Sequence, residues 1–220
     1  MANLAQFLVE TAQREQGRPA LRLGDQVIGY TELEERSARA AALLRAEGVR
    51  PGDRVALMLP NVPEFVALYY GVLRAGAVVV PMNPLLKTRE TEYHLRDSGR
   101  CCSWNGTRHR ARARRARPPP GCGVWPSNPG LRGAVAGHEP LPGVAETADD
   151  DVAVLCTPPV PRRPKGATLT HGGLRHNTRS TRSTSTDDTE DVVVGCLPLF
   201  HIFGQICTMS VACAPAPRSP

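Results

Sequence analysis

Between Arg54 and Gly99 the chain alternates between two kinds of text, and this alternation limits what it can fold into. "RVALMLP" and "AVVVPMNP" are short unbroken apolar runs, the composition of strands buried on both faces. Between them, "VPEFVALYYGVLRAG" has a proline near its start and closes on Gly76, the punctuation of a helix. A second helical stretch, "LKTRETEYHLRDSG", follows. Strand, helix, strand, helix at this spacing predicts an α/β fold: βαβ units with parallel sheets flanked by helices.

The residues ahead of this unit extend the same lobe. "NLAQFLVETAQREQG" has apolar residues at helical spacing and ends on Gly17. "ALRLGDQVIGY" is two short alternating runs around Gly24-Asp25, a hairpin signal. Thr31 with Glu34 reads as a capping box opening a helix that runs to Gly48. Residues 1–100 are therefore expected to form a well-ordered α/β lobe. From Arg100 the text has no period of 2 or 3.6 and is rich in Arg, Pro and Gly, so residues 101–145 are expected to be disordered. Order returns over 146–212, beginning with the strand-like "DVAVL". Within that segment the polar tract "TRSTRSTSTDDTE", residues 178–190, reads as a flexible surface loop. The end, "CAPAPRSP", residues 213–220, reads as a disordered tail.

Composition narrows the function classes. The apolar share of 41% and charged share of 22% are those of a globular protein, and no apolar run approaches the length of a membrane span. The first residues carry Glu10 and Glu15 and no basic region, so a secretory leader is not expected and a cytoplasmic location is. The net charge of +6 comes from one run, "RHRARARRAR" at 108–117, which holds six arginines and no acid. Such a run could bind RNA or an anionic surface, but it has no interleaved aromatics and no nucleic-acid-binding motif around it, so no nucleic-acid partner is expected. The seven cysteines form no CxxC pair, and His171 and His176 are five apart, poor spacing for a shared metal. No metal site is expected, and these histidines read as ordinary loop and helix-surface residues.

The first hundred residues, with "RPKGATLTHGGLRHN" and "GCLPLFHIFGQ", resemble the N-terminal part of an AMP-forming acyl-CoA synthetase, a fatty-acid–CoA ligase of the adenylate-forming superfamily. "YTELEERSARAAALLRAEGVRPGDRVALMLPN" and "GVLRAGAVVVPMNP" carry the likeness almost phrase by phrase. The resemblance implies activation of a carboxylic, expectedly fatty, acid with ATP to an acyl-adenylate, then transfer of the acyl group to coenzyme A, with Mg2+ assisting. It implies that Thr157, Lys165 and Gly166 belong to the ATP-phosphate loop and that His201 and Gly204 lie at the acyl and adenylate pocket. The family's catalytic lysine, on a C-terminal domain, has no counterpart here. Homo-oligomers of intact relatives are compatible with the likeness, and this chain could also serve as a non-catalytic partner of an intact homologue through residues 1–100.

The phosphate loop departs from the pattern. The family reads Tyr-Thr-Ser-Gly-Thr-Thr-Gly-x-Pro-Lys-Gly where this chain has Cys156-Thr157-Pro158-Pro159-Val160-Pro161-Arg162 before Arg163-Pro164-Lys165-Gly166. Such a loop needs glycines for close backbone approach, and N–H and hydroxyl donors for the phosphates. Three of the five residues 158–162 are proline, which has no N–H, and none is glycine or carries a hydroxyl. Read from the third base of the Cys156 codon, with compatible codons, Cys156–Arg162 becomes Tyr-Thr-Ser-Gly-Thr-Thr followed by the first base of a glycine codon. The same shift turns Cys101–Trp104 into Leu-Leu-Val, and Cys213–Pro220 into Arg-Ala-Gly-Ala-Thr-Leu-Thr. The chain therefore reads as a truncated ligase with out-of-frame stretches, inactive as written.

Overall fold

The computed structural model describes residues 2–98, 101–105, 124–126, 130–156, 166–185 and 190–215. Helix α1 (Gln6–Arg14) leads through Gly17 to the hairpin β1 (Pro19–Leu23) and β2 (Gln26–Gly29), paired antiparallel as the sequence suggests. Gly24, at the turn, adopts φ +57°, where a side chain would be strained. Helix α2 (Tyr30–Ala46) follows at once. Its N-cap is Gly29, with no side-chain cap, so the expected Thr31–Glu34 capping box does not form. The reason is tertiary: Glu34 pairs instead with the buried guanidinium of Arg74.

The βαβ core matches the expectation. Strands β3 (Arg54–Met58) and β4 (Val78–Pro81) are parallel and joined by α3 (Pro63–Arg74), and α4 (Thr88–Asp97) follows β4. Alternate residues face opposite sides. Val55, Leu57 and Val79 enter the larger core, while Ala56, Met58 and Val80 join Met82 and Leu95 on the other face. Apolar packing on both faces explains why these strands are unbroken apolar runs. Helix α3 crosses α2 at Gly71, where a Cβ would stand 2.7 Å from that of Ala40 and 3.0 Å from the Ser37 carbonyl. Only glycine permits that approach.

Four further strands complete a six-stranded sheet: β5 (Cys101–Asn105), β6 (Val124–Pro126), β7 (Val152–Cys156) and β8 (Ala167–Thr170). The order is β6-β5-β3-β4-β7-β8, parallel throughout except for the antiparallel pair β7–β8. Helix α5 (Gly130–Ala136) precedes β7. The segment 101–145, expected to be disordered, thus contributes β5, β6 and α5, and its residues 106–123 and 127–129 lie outside those described.

Helix α6 (His171–Ser185) takes up eight residues of the tract expected to be a loop. Thr178 is buried on it, and Arg182 donates to the carbonyls of Val211 and Ala214 at 2.9 and 3.0 Å. Its last turns bond back on themselves, Ser183 and Thr184 hydroxyls donating to the Ser180 carbonyl. Tertiary anchoring overrides a weak helix propensity here. The chain then runs through 190–201 into a helical stretch of three parts: α7 (Ile202–Gly204), a π-helical turn (Gln205–Ser210) and α8 (Val211–Cys213). Of the expected tail from Cys213 onward, Cys213 and Ala214 are buried in the main core, and 216–220 lie outside the described residues. That core draws on both ends of the chain, with Leu4 and Phe7 packed in the same cluster as Leu174, Leu199 and Met209. No described helix is long and apolar enough to cross a membrane.

Candidate functional site

In an open parallel sheet the carboxyl ends of the strands form the edge where ligands are bound. Two motifs singled out from the sequence attach to this edge. The first is the loop after β7. Thr157 and Lys165 fall within 157–165, outside the described residues, as does the arginine run 108–117. Gly166, directly ahead of β8, is described and exposed. A Cβ there would come 3.2 Å from Leu155 Cδ1 and 3.7 Å from an Asp97 carboxylate oxygen, so the returning strand passes close to the end of α4. Cys156, the last residue of β7, is half-buried, and burial pushes its thiol up to about 11.

The second motif is the turn 195–205, and it is fastened by a residue that the sequence reading did not single out. Asn61 sits between β3 and α3. Its Nδ2 donates to the carbonyls of Gly195 and Leu197 at 3.1 and 2.8 Å, and its Oδ1 accepts the Leu199 N–H at 2.9 Å. One amide thus satisfies three backbone groups of a segment that has no strand partner among the described residues. The available signal was its place, a polar residue directly after the buried run "RVALMLP".

His201 follows and is exposed. Its Nδ1 accepts the Phe203 N–H at 3.3 Å, capping α7, which leaves Nε2 to carry the proton of the neutral ring. Gly204 is buried, and a Cβ on it would lie 2.3 Å from the Pro198 carbonyl oxygen. The helical turn therefore rests directly on the backbone of the preceding loop, an arrangement that no other residue allows. Gln205, next in the chain, is fully buried, and neither its Nε2 nor its Oε1 has a hydrogen-bond partner among the described residues. A buried amide with both ends unpaired costs several kcal/mol unless something completes it. It opens the π-helical turn, a distortion often found at functional sites. His201, Gly204 and Gln205 thus lie within one turn. No group of three or more metal-ligating side chains occurs among the described residues.

A cleft of about 590 Å³ lies elsewhere, between the β1–β2 hairpin, residues 190–195 and residues 208–214. It shares Asn61, Gly195 and Leu199 with the turn, but Gly166, His201, Gly204 and Gln205 do not line it. The turn, which carries the unpaired amide, is the candidate site.

Comparison with known proteins decides the family. Residues 8–216 match the family described as "AMP-binding enzyme". The chain belongs to this family. Among AMP-binding relatives, a feruloyl-CoA synthase of an Amycolatopsis species is 34% identical over 212 residues, covering 93% of this chain and 41% of that protein. A long-chain-fatty-acid–CoA ligase of Salmonella typhimurium is 43% identical over 98 residues, covering 44% of this chain and 18% of that protein. Among solved structures, apo MatB from Rhodopseudomonas palustris superposes with a TM-score of 0.87 at 27% identity, covering 96% of this chain and 43% of that one. The chain spans about two-fifths or less of the length of these relatives. It corresponds to part of the N-terminal region of an adenylate-forming enzyme, and the expected α/β fold with its parallel-stranded sheet holds.

Proposed function

We propose that this chain carries the acid-binding side of an acid–CoA ligase, an enzyme that joins a carboxylate to AMP and passes the acyl group to coenzyme A. The observation that supports this reading is the turn described above. Asn61 fixes its entry, Gly204 seats it, and the exposed imidazole of His201 lies four positions ahead of a buried amide that is unpaired among the described residues. In this reading the carboxylic acid lies against His201, whose Nε2–H can donate to a carboxylate oxygen, and the acyl body extends toward Gln205.

The nucleotide side is different. Thr157, Lys165 and Gly166 fit a phosphate loop by position: a hydroxyl, a cation and a close backbone approach. Between them the donor set fails, because Pro158, Pro159 and Pro161 have no N–H and residues 158–162 offer neither glycine nor hydroxyl. The residues present therefore do not fit ATP with its Mg2+, and we derive no adenylation step for the chain as written. Its expected activity in ATP–pyrophosphate exchange is nil with either a long-chain fatty acid or ferulate. Robust acid-dependent exchange would overturn that inactivity.

The class of acid has two readings. The sequence resemblance points to a fatty acid, and the relative with the higher local identity carries that name. The relative matched over most of this chain is a feruloyl-CoA synthase, and Gln205 offers both a donor and an acceptor, which a hydroxylated aryl acid can use and an alkyl chain cannot. Calorimetric titration with ferulate and with a fatty acid distinguishes the two. Tighter binding of ferulate, lost in Gln205→Leu, supports the aryl reading. Fatty-acid binding unchanged by Gln205→Leu supports the other.

A further inference from the structure

The beginning of the chain is tied to the hairpin β7–β8 that frames loop 157–165, and the tie is a histidine. His171 follows β8 directly, opens α6 and is 1% exposed. Its Nδ1 accepts the Leu4 N–H at 3.0 Å. Its own amide donates to the Asp151 carbonyl at 3.0 Å, and the Gly172 amide to the Asp149 carbonyl at 2.8 Å. A Cβ on Gly172 would stand 2.9 Å from that Asp149 oxygen, so α6 meets the turn ahead of β7 backbone to backbone. On the other side, Asn3 Nδ2 donates to the carbonyls of Leu73 and Ala145 at 2.8 and 3.1 Å, and Asn3 Oδ1 accepts the Ala5 N–H at 2.9 Å. Residues 3–5 are thus held by two side chains, and the hold on the β7–β8 side passes through the imidazole.

A ring nitrogen accepts an N–H only while it keeps its lone pair. Protonating Nδ1 would set donor against donor in a place that water does not reach, leaving both groups unpaired. We propose that His171 is a pH-operated latch: neutral and protonated on Nε2 it fastens the N-terminal turn to the β7–β8 hairpin, and on gaining a second proton it lets that turn go while the central sheet stays folded. The charged groups acting on the ring are Asp151 and Asp149, from the turn ahead of β7, and Arg175 from its own helix; the N-terminal turn presents the Leu4 amide. Burial is the largest influence and pushes the imidazole down to about 4; the two aspartates oppose this and Arg175 adds to it.

The direction follows from proton counting. Between about 4 and the ordinary value of 6.5 the latched ring binds fewer protons than a released one. The latch is therefore fully effective above about pH 6.5 and is lost as the pH falls toward 4. Nothing in this depends on the ligase reading.

The test is NMR on the full chain. Multiple-bond 15N–1H correlation at pH 7 should show His171 with a bare Nδ1 and a protonated Nε2, and the ring should titrate well below 6. The opening constant of the Leu4 amide, from exchange corrected for intrinsic rates, should rise roughly 50-fold between pH 7 and 4.5, the change implied by values of 6.5 and about 4, and should stay well above that of the core amide of Val55, which opens only with the sheet. His171→Gln keeps an acceptor that does not titrate, so its Leu4 opening constant should lose this rise with acid. An Nδ1–H tautomer at pH 7, a ring titrating near 6.5, or equal opening constants for Leu4 and Val55 at pH 4.5 would each overturn the latch. If His171→Gln fails to fold, the wild-type tautomer and titration decide alone.

Discussion

Asn61 and Leu199 are separated by 138 positions, yet the Leu199 N–H donates to Asn61 Oδ1 at 2.9 Å, and this bond closes a clamp around the turn that carries His201. Asn61→Ala removes three hydrogen bonds, two of them partly shielded from solvent, and should destabilise the protein by about 2 kcal/mol. Asn61→Asp keeps the acceptor and loses both donors, so it should fall between the two. Denaturant midpoints measure the loss. Hydrogen exchange should locate it at Gly195–Leu199, ahead of any change in β3.

Gly204 should tolerate no side chain. A Cβ 2.3 Å from the Pro198 oxygen is far inside van der Waals contact, and both groups are backbone, so neither can swing aside. Gly204→Ala should cost about 3 kcal/mol or more, or prevent folding. Gly133 on α5 has open space where its Cβ would go, and Gly133→Ala should leave stability unchanged or raise it by about 0.5 kcal/mol. Comparable losses in the two variants would argue against the close contact.

What the sequence disclosed and what it hid follow from the range of the interactions. The unit β3–α3–β4–α4 was legible because burial on both faces writes itself as unbroken apolar runs, and Gly76 marks the end of α3 with φ +77°. The misreadings lay where a polar side chain had a choice. Glu34 could have capped α2 but was drawn to Arg74, 40 positions away. Residues 178–185 have the composition of a loop, but Arg182 reaches two carbonyls near the chain's end and holds them in a helix. The candidate site divides the same way. His201 and Gly204 were marked by the family phrase, whereas Asn61 and Gln205 show their importance only through partners gained or missing in three dimensions.

The Glu34–Arg74 pair should behave as a buried ion pair. The Arg74 side chain is 7% exposed, and its Nη2 also donates to the Leu141 carbonyl at 3.1 Å, joining α3 to the segment ahead of β7. Removing one partner leaves the other charge desolvated, so Glu34→Leu should cost about 3 kcal/mol. The double variant Glu34→Leu, Arg74→Met removes both charges and should recover at least half of that loss. Additive losses in urea denaturation would show that the two side chains act independently.

The sharpest prediction concerns the phosphate loop, because the deficiency lies in named atoms. Prolines at 158, 159 and 161 remove three backbone donors, and no hydroxyl or glycine replaces them within 158–162. The chain should therefore bind ATP no more tightly than millimolar, as measured by calorimetry. Replacing Cys156→Tyr, Pro158→Ser, Pro159→Gly, Val160→Thr, Pro161→Thr and Arg162→Gly restores the donors while keeping Thr157, Lys165 and Gly166. A gain of ten-fold or more in ATP affinity, abolished again by Lys165→Ala, would show that the scaffold from β7 to β8 still presents a phosphate loop. Resequencing the gene across codons 101, 156 and 213 then separates two origins. Bases missing at those codons would make the restored loop the natural one. If the recorded bases stand, the loop was lost by the protein itself, and the restored variant measures what that loss cost in nucleotide affinity.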